Sequence, residues 1–244
     1  MDAHEKVLVA KQLELLGVDK IEAGFPISSP GDFDAVQAIA GVIKKSSIVG
    51  LCRAKDEDIQ AAWGAIKEAV KPCIHTFIAT SDIHLKHQLR MSREEVLKSV
   101  EYSVGLSRSL CPDVEFSAMD ATRSEWDFLV DVYTAAISAG ASTINVPDTV
   151  GYTNPQEFFN LITYLKKKVK NINKAVISVH CHNDLGMAVA NSVSAVMAGA
   201  RQIECTINGI GERAGNTSLE EVVMIFNVRK DLYGVVPNID TTQI

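Results

Sequence analysis

The chain has 244 residues, of which 47% are hydrophobic and 22% charged, a balance typical of globular proteins. Its formal net charge is −6 without a basic stripe, which argues against nucleic acid as a partner. Since no apolar run approaches about 18 residues, the sequence predicts no membrane span. The five cysteines lack close pairing, so we expect buried, reduced thiols and a cytoplasmic location.

Amphipathic helices alternate with short apolar strands along the whole chain. Helices are predicted near residues 3–16, 31–45, 56–70, 92–110, 125–139, 155–169, 185–199 and 218–233. Strands are predicted near 19–25, 47–52, 73–79, 113–119, 142–148, 175–182 and 201–208. Ser92 with Glu95 forms a capping box, and Asn154 before Pro155 marks another helix start. Strict alternation predicts a parallel sheet, either closed into a barrel or open and doubly wound.

A single domain is expected, because no linker, repeat or low-complexity tract divides the chain and its length suits one α/β barrel. The element count is nevertheless unusual. The chain opens on a helix, where a βα order would place a strand first. We therefore interpret the first strand as missing from this chain.

Several strands are apolar at alternate positions and polar between them. In the last predicted strand, polar residues at 204, 206 and 208 alternate with apolar residues at 203, 205 and 207. Since an unsatisfied buried polar group costs roughly 1–3 kcal/mol, this pattern favours a closed barrel whose polar positions line a ligand cavity. The polar residues at or near the C-terminal strand ends, where such barrels carry their sites, are Glu22, His75, Ser117, Thr149, His180, His182 and Asn208.

His180 and His182 are the strongest candidates for chemistry. They follow the apolar stretch 176–179, and residues two apart in a strand point to the same side. Two converging imidazoles are half of a divalent-metal site, although the motif alone is also compatible with a structural or surface pair. Likewise, His75 alone could be a hydrogen-bonded core histidine, and Ser117 and Thr149 ordinary strand-end hydroxyls. Glu22 needs a cation or a metal beside it.

The glycine-rich stretch 208–216 precedes the last helix. Its glycines let backbone approach a ligand closely, and amide groups at a helix start favour an anion. An ordinary βα turn is the alternative interpretation.

Together these motifs resemble the catalytic barrel of the 2-isopropylmalate synthase family, among the Asp-Arg-Glu TIM-barrel metallolyases. The resemblance covers essentially all 244 residues and rests on the stretches 21–26, 75–77, 114–117, 145–152, 180–184 and 208–216. It implies an α/β fold, a TIM (β/α)8 barrel with its first strand missing. Residues 1–244 would then form one pyruvate-carboxyltransferase-like domain, incomplete at both ends.

The resemblance also implies an activity, a metal-dependent Claisen condensation of acetyl-CoA with 2-ketoisovalerate. The products would be 2-isopropylmalate and CoA, in the first committed step of leucine biosynthesis. The implied partners are the 2-keto acid, acetyl-CoA and, for the full-length protein, a second copy in a homodimer.

Site roles follow from the same resemblance. His180, His182 and Asn216 match the metal site, for which Mn²⁺, Mg²⁺, Co²⁺ and Zn²⁺ are all suitable. Glu22 matches the glutamate that orients an arginine, and Thr149 a catalytic and substrate-binding position. His75, Ser117 and Asn208 match substrate-binding positions.

The chain departs from the family pattern in three ways. It lacks the Arg-Asp-Gly-Glu strand, which supplies an aspartate ligand and an arginine, and it lacks the downstream segment with a catalytic histidine and the leucine-sensing domain. Met119 stands where the family usually has Glu. Truncation, an incomplete gene model, unresolved residues or degeneration of the protein would each explain the segments that are missing at the two ends. We expect little or no synthase activity from this segment alone.

Two alternative functions stay open. One is a related synthase that uses another 2-keto acid, such as a citramalate or homocitrate synthase. The other is a non-catalytic metal-binding or scaffolding barrel.

Overall fold

A computed structural model describes residues 1–244, and it confirms the alternation of helices and strands. The strands are β1 (Lys20–Gly24), β2 (Ser47–Arg53), β3 (Pro72–Ala79), β4 (Val114–Met119), β5 (Thr143–Asp148), β6 (Val176–Cys181) and β7 (Gln202–Glu204). The helices are α1 (Ala3–Leu16), α2 (Pro30–Val42), α3 (Asp56–Ile66), α4 (Asp82–His84), α5 (Arg93–Leu110), α6 (Trp126–Ala139), α7 (Pro155–Lys168), α8 (Ala188–Ala198), α9 (Leu219–Val228) and α10 (Lys230–Tyr233).

The seven strands form one sheet in chain order, and every neighbouring pair is parallel. Side chains from both edge strands meet the same residue of the middle strand. Glu115 on β4 accepts hydrogen bonds from Lys20 Nζ of β1 at 3.1 Å and from Gln202 Nε2 of β7 at 2.6 Å. The sheet is therefore curled into a barrel that lacks one strand between β1 and β7, and the predicted fold class is confirmed.

The apolar strand positions pack outward against the helices, as the alternation predicts. In β4, Val114, Phe116 and Ala118 are fully buried, and Phe116 packs edge-to-face against Tyr133 of α6 at 6.4 Å between ring centroids. Burying a side chain of this size stabilises the fold by about 1.5–3 kcal/mol. The polar positions of the same strands are thereby directed into the barrel.

Seven of the eight predicted helices begin within one residue of the predicted start, whereas α8 begins at Ala188 rather than near 185 and the short helix α4 was not predicted. Ser92 and Glu95 make both bonds of a capping box, and Asn154 caps the helix that Pro155 opens. None of the helices combines the length and the apolar character needed to cross a membrane. The five cysteines form no disulfide.

The predicted extent of the last strand is wrong. The strand ends at Glu204 rather than near 208, because the following backbone turns away and pairs with the loop before α9. Thr206 N donates to Thr217 O at 3.0 Å, and Asn208 lies in a 3₁₀ turn with φ 58°. This turn brings the glycine-rich loop over the C-terminal ends of the strands.

Candidate metal centre and active site

Two histidines meet at the C-terminal end of β6. His180 lies in the strand and His182 directly follows it, and their Nε2 atoms are 3.2 Å apart. The Nδ1 atom of His180 is 2.8 Å from Glu204 Oε2, and the Nδ1 atom of His182 is 2.5 Å from the carbonyl oxygen of Thr149. Each ring is thus held through Nδ1 while its Nε2 faces the other ring.

These contacts fix which nitrogen of His182 carries the proton. A carbonyl oxygen only accepts, so His182 Nδ1 must donate to Thr149, and the Nε2 of the neutral ring presents a lone pair. A neutral His180 that donates to Glu204 does the same. Two lone pairs at 3.2 Å repel each other unless a proton or a metal ion lies between them.

The charge distribution between the rings is asymmetric. Burial lowers the pKa of His180, but the hydrogen bond and charge of Glu204 outweigh it and raise that pKa above its usual value. The pKa of His182 is lowered by burial and by the neighbouring His180. A proton shared by the two rings therefore resides more favourably on His180 than on His182.

A divalent cation fits this pair. Two nitrogen ligands about 2.0–2.1 Å from one ion lie about 2.8–3.0 Å apart in octahedral geometry and about 3.3–3.4 Å apart in tetrahedral geometry, and the observed separation of 3.2 Å lies between these values. The acceptors behind both rings are the kind of partner that orients metal-ligating histidines. The donor set is thus suited to a metal ion.

Asn216, the third predicted ligand, lies beside the histidines through its backbone, which forms an isolated bridge with His182. Its Oδ1 atom is buried and has no hydrogen-bond partner. The amide group packs closely over Gly211, where an added Cβ would approach Nδ2 to 2.6 Å. Asn216 therefore offers a free amide oxygen at this end of the barrel, and its role as a ligand stays a prediction.

A second group of predicted residues forms a chain of hydrogen bonds inside the barrel. Glu22 Oε2 lies 2.6 Å from His75 Nδ1, and His75 Nε2 lies 2.7 Å from Ser117 Oγ. Asn145 Nδ2 donates to the same hydroxyl at 2.8 Å, and its buried Oδ1 has no partner. Burial lowers the pKa of His75, but the Glu22 carboxylate reverses this effect and raises that pKa to about 10. His75 is therefore cationic at neutral pH and holds Ser117 in place.

Thr149 is positioned to donate a hydrogen bond to a ligand. Its Oγ1 accepts from the backbone N–H of Asp120 at 2.9 Å, so its own hydroxyl proton stays available. Asp120 adopts the left-handed conformation with φ 66°, which is uncommon for a residue other than glycine.

Asn208, another predicted substrate-binding residue, lies apart from Thr149, His75 and Ser117. It is part of the glycine-rich loop, where its backbone N–H donates to Glu220 Oε1 at 2.7 Å.

The interior also contains ionic residues that sequence reasoning did not select. Glu115 binds Lys20 and Gln202, and Gln202 also donates to Ser178 Oγ at 3.0 Å. Glu204 holds His180. Both glutamates stand at polar positions of strands in which polar and apolar residues alternate. This alternation is the sequence signal that could have identified them.

His75, Glu115 and Glu204 bring three potential metal-ligand atoms within 4.8 Å of one another. Both nitrogens of His75 are already engaged, however, and both oxygens of Glu115 accept hydrogen bonds from Lys20 and Gln202. A cation there would have to displace these partners. The His180–His182 pair is the better metal centre.

Comparison with known proteins agrees with the barrel and its motifs. The HMGL-like family model matches residues 1–244. The chain is 60% identical over 244 residues to the 2-isopropylmalate synthase of Syntrophus aciditrophicus and 58% identical to that of Pyrococcus furiosus. These matches cover all of the chain but 47% and 49% of the two proteins. The chain thus spans about half the length of the curated relatives it matches.

Among solved structures, the chain is similar to the HMG-CoA lyase of Bacillus subtilis, with a TM-score of 0.80 and 17% identity, covering 100% of this chain and 83% of that one. The hydroxymethylglutaryl-CoA lyase of Pseudomonas aeruginosa gives a TM-score of 0.82 at 17% identity, with the same coverage. At this identity the likeness concerns the fold alone.

Proposed function

Because the chain belongs to the HMGL-like family, we propose that it is the catalytic barrel of a 2-isopropylmalate synthase. The reaction would be the metal-dependent condensation of acetyl-CoA with 2-ketoisovalerate. The observation that carries the proposal is the His180–His182 pair, whose Nε2 atoms face each other and whose Nδ1 atoms are held by Glu204 and Thr149. The 54–60% identity to proteins named 2-isopropylmalate synthase supports the choice within the family.

In this proposal His180, His182 and Asn216 hold a divalent cation, which when bound would polarise the carbonyl of the keto acid as a Lewis acid. Thr149 donates its hydroxyl proton to the bound substrate, since its oxygen already accepts from Asp120. The His75 imidazolium, neutralised by Glu22, holds Ser117 at the substrate pocket. Asn208 would contact substrate only if the loop closes over it.

The proposal includes several features of the complete protein. Residues 1–244 would act as one domain of a cytoplasmic enzyme, acetyl-CoA would be the second substrate, and the full-length protein would form a homodimer. Glu22 would orient an arginine, and no Arg-Asp-Gly-Glu motif occurs among these 244 residues. We therefore expect the chain by itself to bind its substrate but to turn over little or none of it.

Keto-acid binding to the chain in the presence of Mn²⁺ tests the proposal. Calorimetry should show metal-dependent binding of 2-ketoisovalerate that the His180→Gln variant loses. Binding that is equally strong without Mn²⁺ would contradict the proposed centre.

A panel of keto acids separates the proposal from its nearest alternative. Met119 stands half-buried at the end of β4, two residues beyond Ser117, where a thioether replaces the carboxylate usual in the family. Stronger binding of pyruvate or 2-oxoglutarate than of 2-ketoisovalerate would assign the chain to a citramalate-type or homocitrate-type synthase. A parallel thiol-release assay with acetyl-CoA measures turnover, and robust activity of the chain alone would contradict the expectation above.

A further inference from the structure

Arg213, in the glycine-rich loop, makes three hydrogen bonds to segments that surround the histidine pair. Its Nε and Nη2 atoms donate to the two carboxylate oxygens of Asp184 at 2.7 and 2.8 Å. Nη2 also donates to the carbonyl oxygen of Thr149 at 2.9 Å. The guanidinium therefore joins the loop to the ends of both β5 and β6.

The carbonyl oxygen of Thr149 is the same atom that accepts the proton of His182 Nδ1. A carbonyl oxygen has two lone pairs, and here His182 and Arg213 occupy both. Moving this oxygen would release the ring of His182 and allow the other tautomer, which carries its proton on Nε2. The direction of the His182 lone pair thus depends on a residue of the loop.

From this geometry we propose that Arg213 is a positioning residue for the metal centre, acting on His182 through the carbonyl of Thr149. The inference rests on the proposed function, since it assumes that His182 Nε2 binds a metal ion. The side chain of Arg213 does not itself contact the Nε2 atom of His180 or of His182. Its effect is to hold the acceptor that selects the metal-binding tautomer.

The surroundings of the contact support a positioning role over a purely stabilising one. The Arg213 side chain is 44% exposed, and exposed ion pairs contribute little to stability. Its backbone has φ 54°, a left-handed conformation that is unfavourable for any residue with a Cβ. Arg213 thus combines a strained backbone with an ion pair that adds little stability. Such strain is expected at a functional site, where the contact has a role other than stabilising the fold.

Asp184 holds the guanidinium of Arg213 in place. It lies two residues after His182 on the same segment, and it fixes the guanidinium plane by accepting two parallel hydrogen bonds. Gly151 lies so close that an added Cβ would be 2.4 Å from Asp184 Oδ2. The neighbouring backbone is tied as well, since Asn183 N donates to Gly215 O at 2.8 Å. The geometry of Thr149, Asp184 and Arg213 is consequently set as a unit.

The test compares the Arg213→Ala and Arg213→Gly variants with the unaltered chain. Both remove the guanidinium, but glycine also relieves the left-handed backbone. Arg229→Ala is the matched control, because Arg229 is an exposed arginine with a single ion pair to Asp231 at 3.3 Å. One readout is the dissociation constant for Co²⁺ alone, and the other is the ¹⁵N spectrum of the histidine side chains without metal.

Both Arg213 variants should weaken Co²⁺ binding about tenfold, while Arg229→Ala should not change it. The ¹⁵N shifts of His182 should move toward a mixture of tautomers, and those of His180, held by Glu204, should stay in place. Unchanged Co²⁺ affinity with unchanged His182 shifts would overturn the proposal. So would normal affinity in Arg213→Gly combined with weakened affinity in Arg213→Ala, since backbone strain would then explain the loss.

The two proposals fail in different ways. If the unaltered chain does not bind Co²⁺, the proposed metal centre is wrong. The ¹⁵N spectrum then decides alone whether Arg213 sets the tautomer of His182.

Discussion

Replacing Glu204 with glutamine separates the support of the metal centre from the stability of the barrel. Glu204 Oε2 accepts from His180 Nδ1 at 2.8 Å. Glutamine keeps the size of the side chain and a carbonyl oxygen but removes the negative charge behind the imidazole. Loss of such a partner weakens metal binding about 10–100-fold, and we expect the lower end because the acceptor is retained. A tenfold loss corresponds to about 1.4 kcal/mol.

Glu115→Gln is the matched control, since Glu115 is a second carboxylate in the same interior. It binds Lys20 and Gln202 instead of a histidine of the pair. Its replacement leaves Lys20 with only Asp113 at 3.5 Å as an ionic partner, and breaking a buried pair of this kind costs about 3 kcal/mol or more. Glu115→Gln should therefore lower the free energy of unfolding while metal affinity stays near that of the unaltered chain.

Two assays measure the contrast. Titration with Co²⁺, followed by its visible absorption, gives the dissociation constant, and urea unfolding gives the stability. Glu204→Gln should change mainly the first quantity and Glu115→Gln mainly the second. The reasoning is refuted if both variants weaken metal binding equally, because the effect would then come from interior charge in general.

Three further predictions concern the interior and the loops. Burial lowers the pKa of His75, but the Glu22 carboxylate outweighs it and raises that pKa from 6.5 to about 10. The charge of His75 therefore stabilises the fold fully below pH 6.5, and this contribution is lost as the pH rises through about 10. Thermal unfolding at pH 7 and pH 10 should consequently show a larger loss for the unaltered chain than for His75→Gln. Thr149→Val should weaken keto-acid binding in the presence of Mn²⁺ about tenfold by calorimetry, and Thr149→Ser should not. Gly151→Ala, at φ 59° and in a crowded position, should cost about 2 kcal/mol or more in urea unfolding, whereas Gly105→Ala, with open space around it, should be neutral or stabilising.

The sequence was most informative where the relevant pattern is local. Residues two apart in a strand share a side, so the pairing of His180 and His182 could be predicted without knowing any other strand. The same alternation placed His75 and Ser117 inside the barrel, and the structure joins them by a hydrogen bond. The parallel sheet could be predicted because helices and strands that alternate along the chain form parallel sheets.

Contacts between distant segments could not be predicted in this way. Glu204 stood at a polar position of its strand, but nothing local indicates that it faces His180 across a strand pair. The early end of β7 depends on pairing with Thr217, eleven or more residues further along the chain. The reach of Arg213 to Thr149 depends on a left-handed backbone conformation that only the folded loop imposes.

The most direct test of the proposed centre is the position of a bound ion. Crystals of the chain grown with Zn²⁺ should show a single strong anomalous peak about 2.0–2.1 Å from both His180 Nε2 and His182 Nε2. A peak among His75, Glu115 and Glu204, with the two imidazoles still in direct contact, would contradict the assignment of the metal centre to the histidine pair.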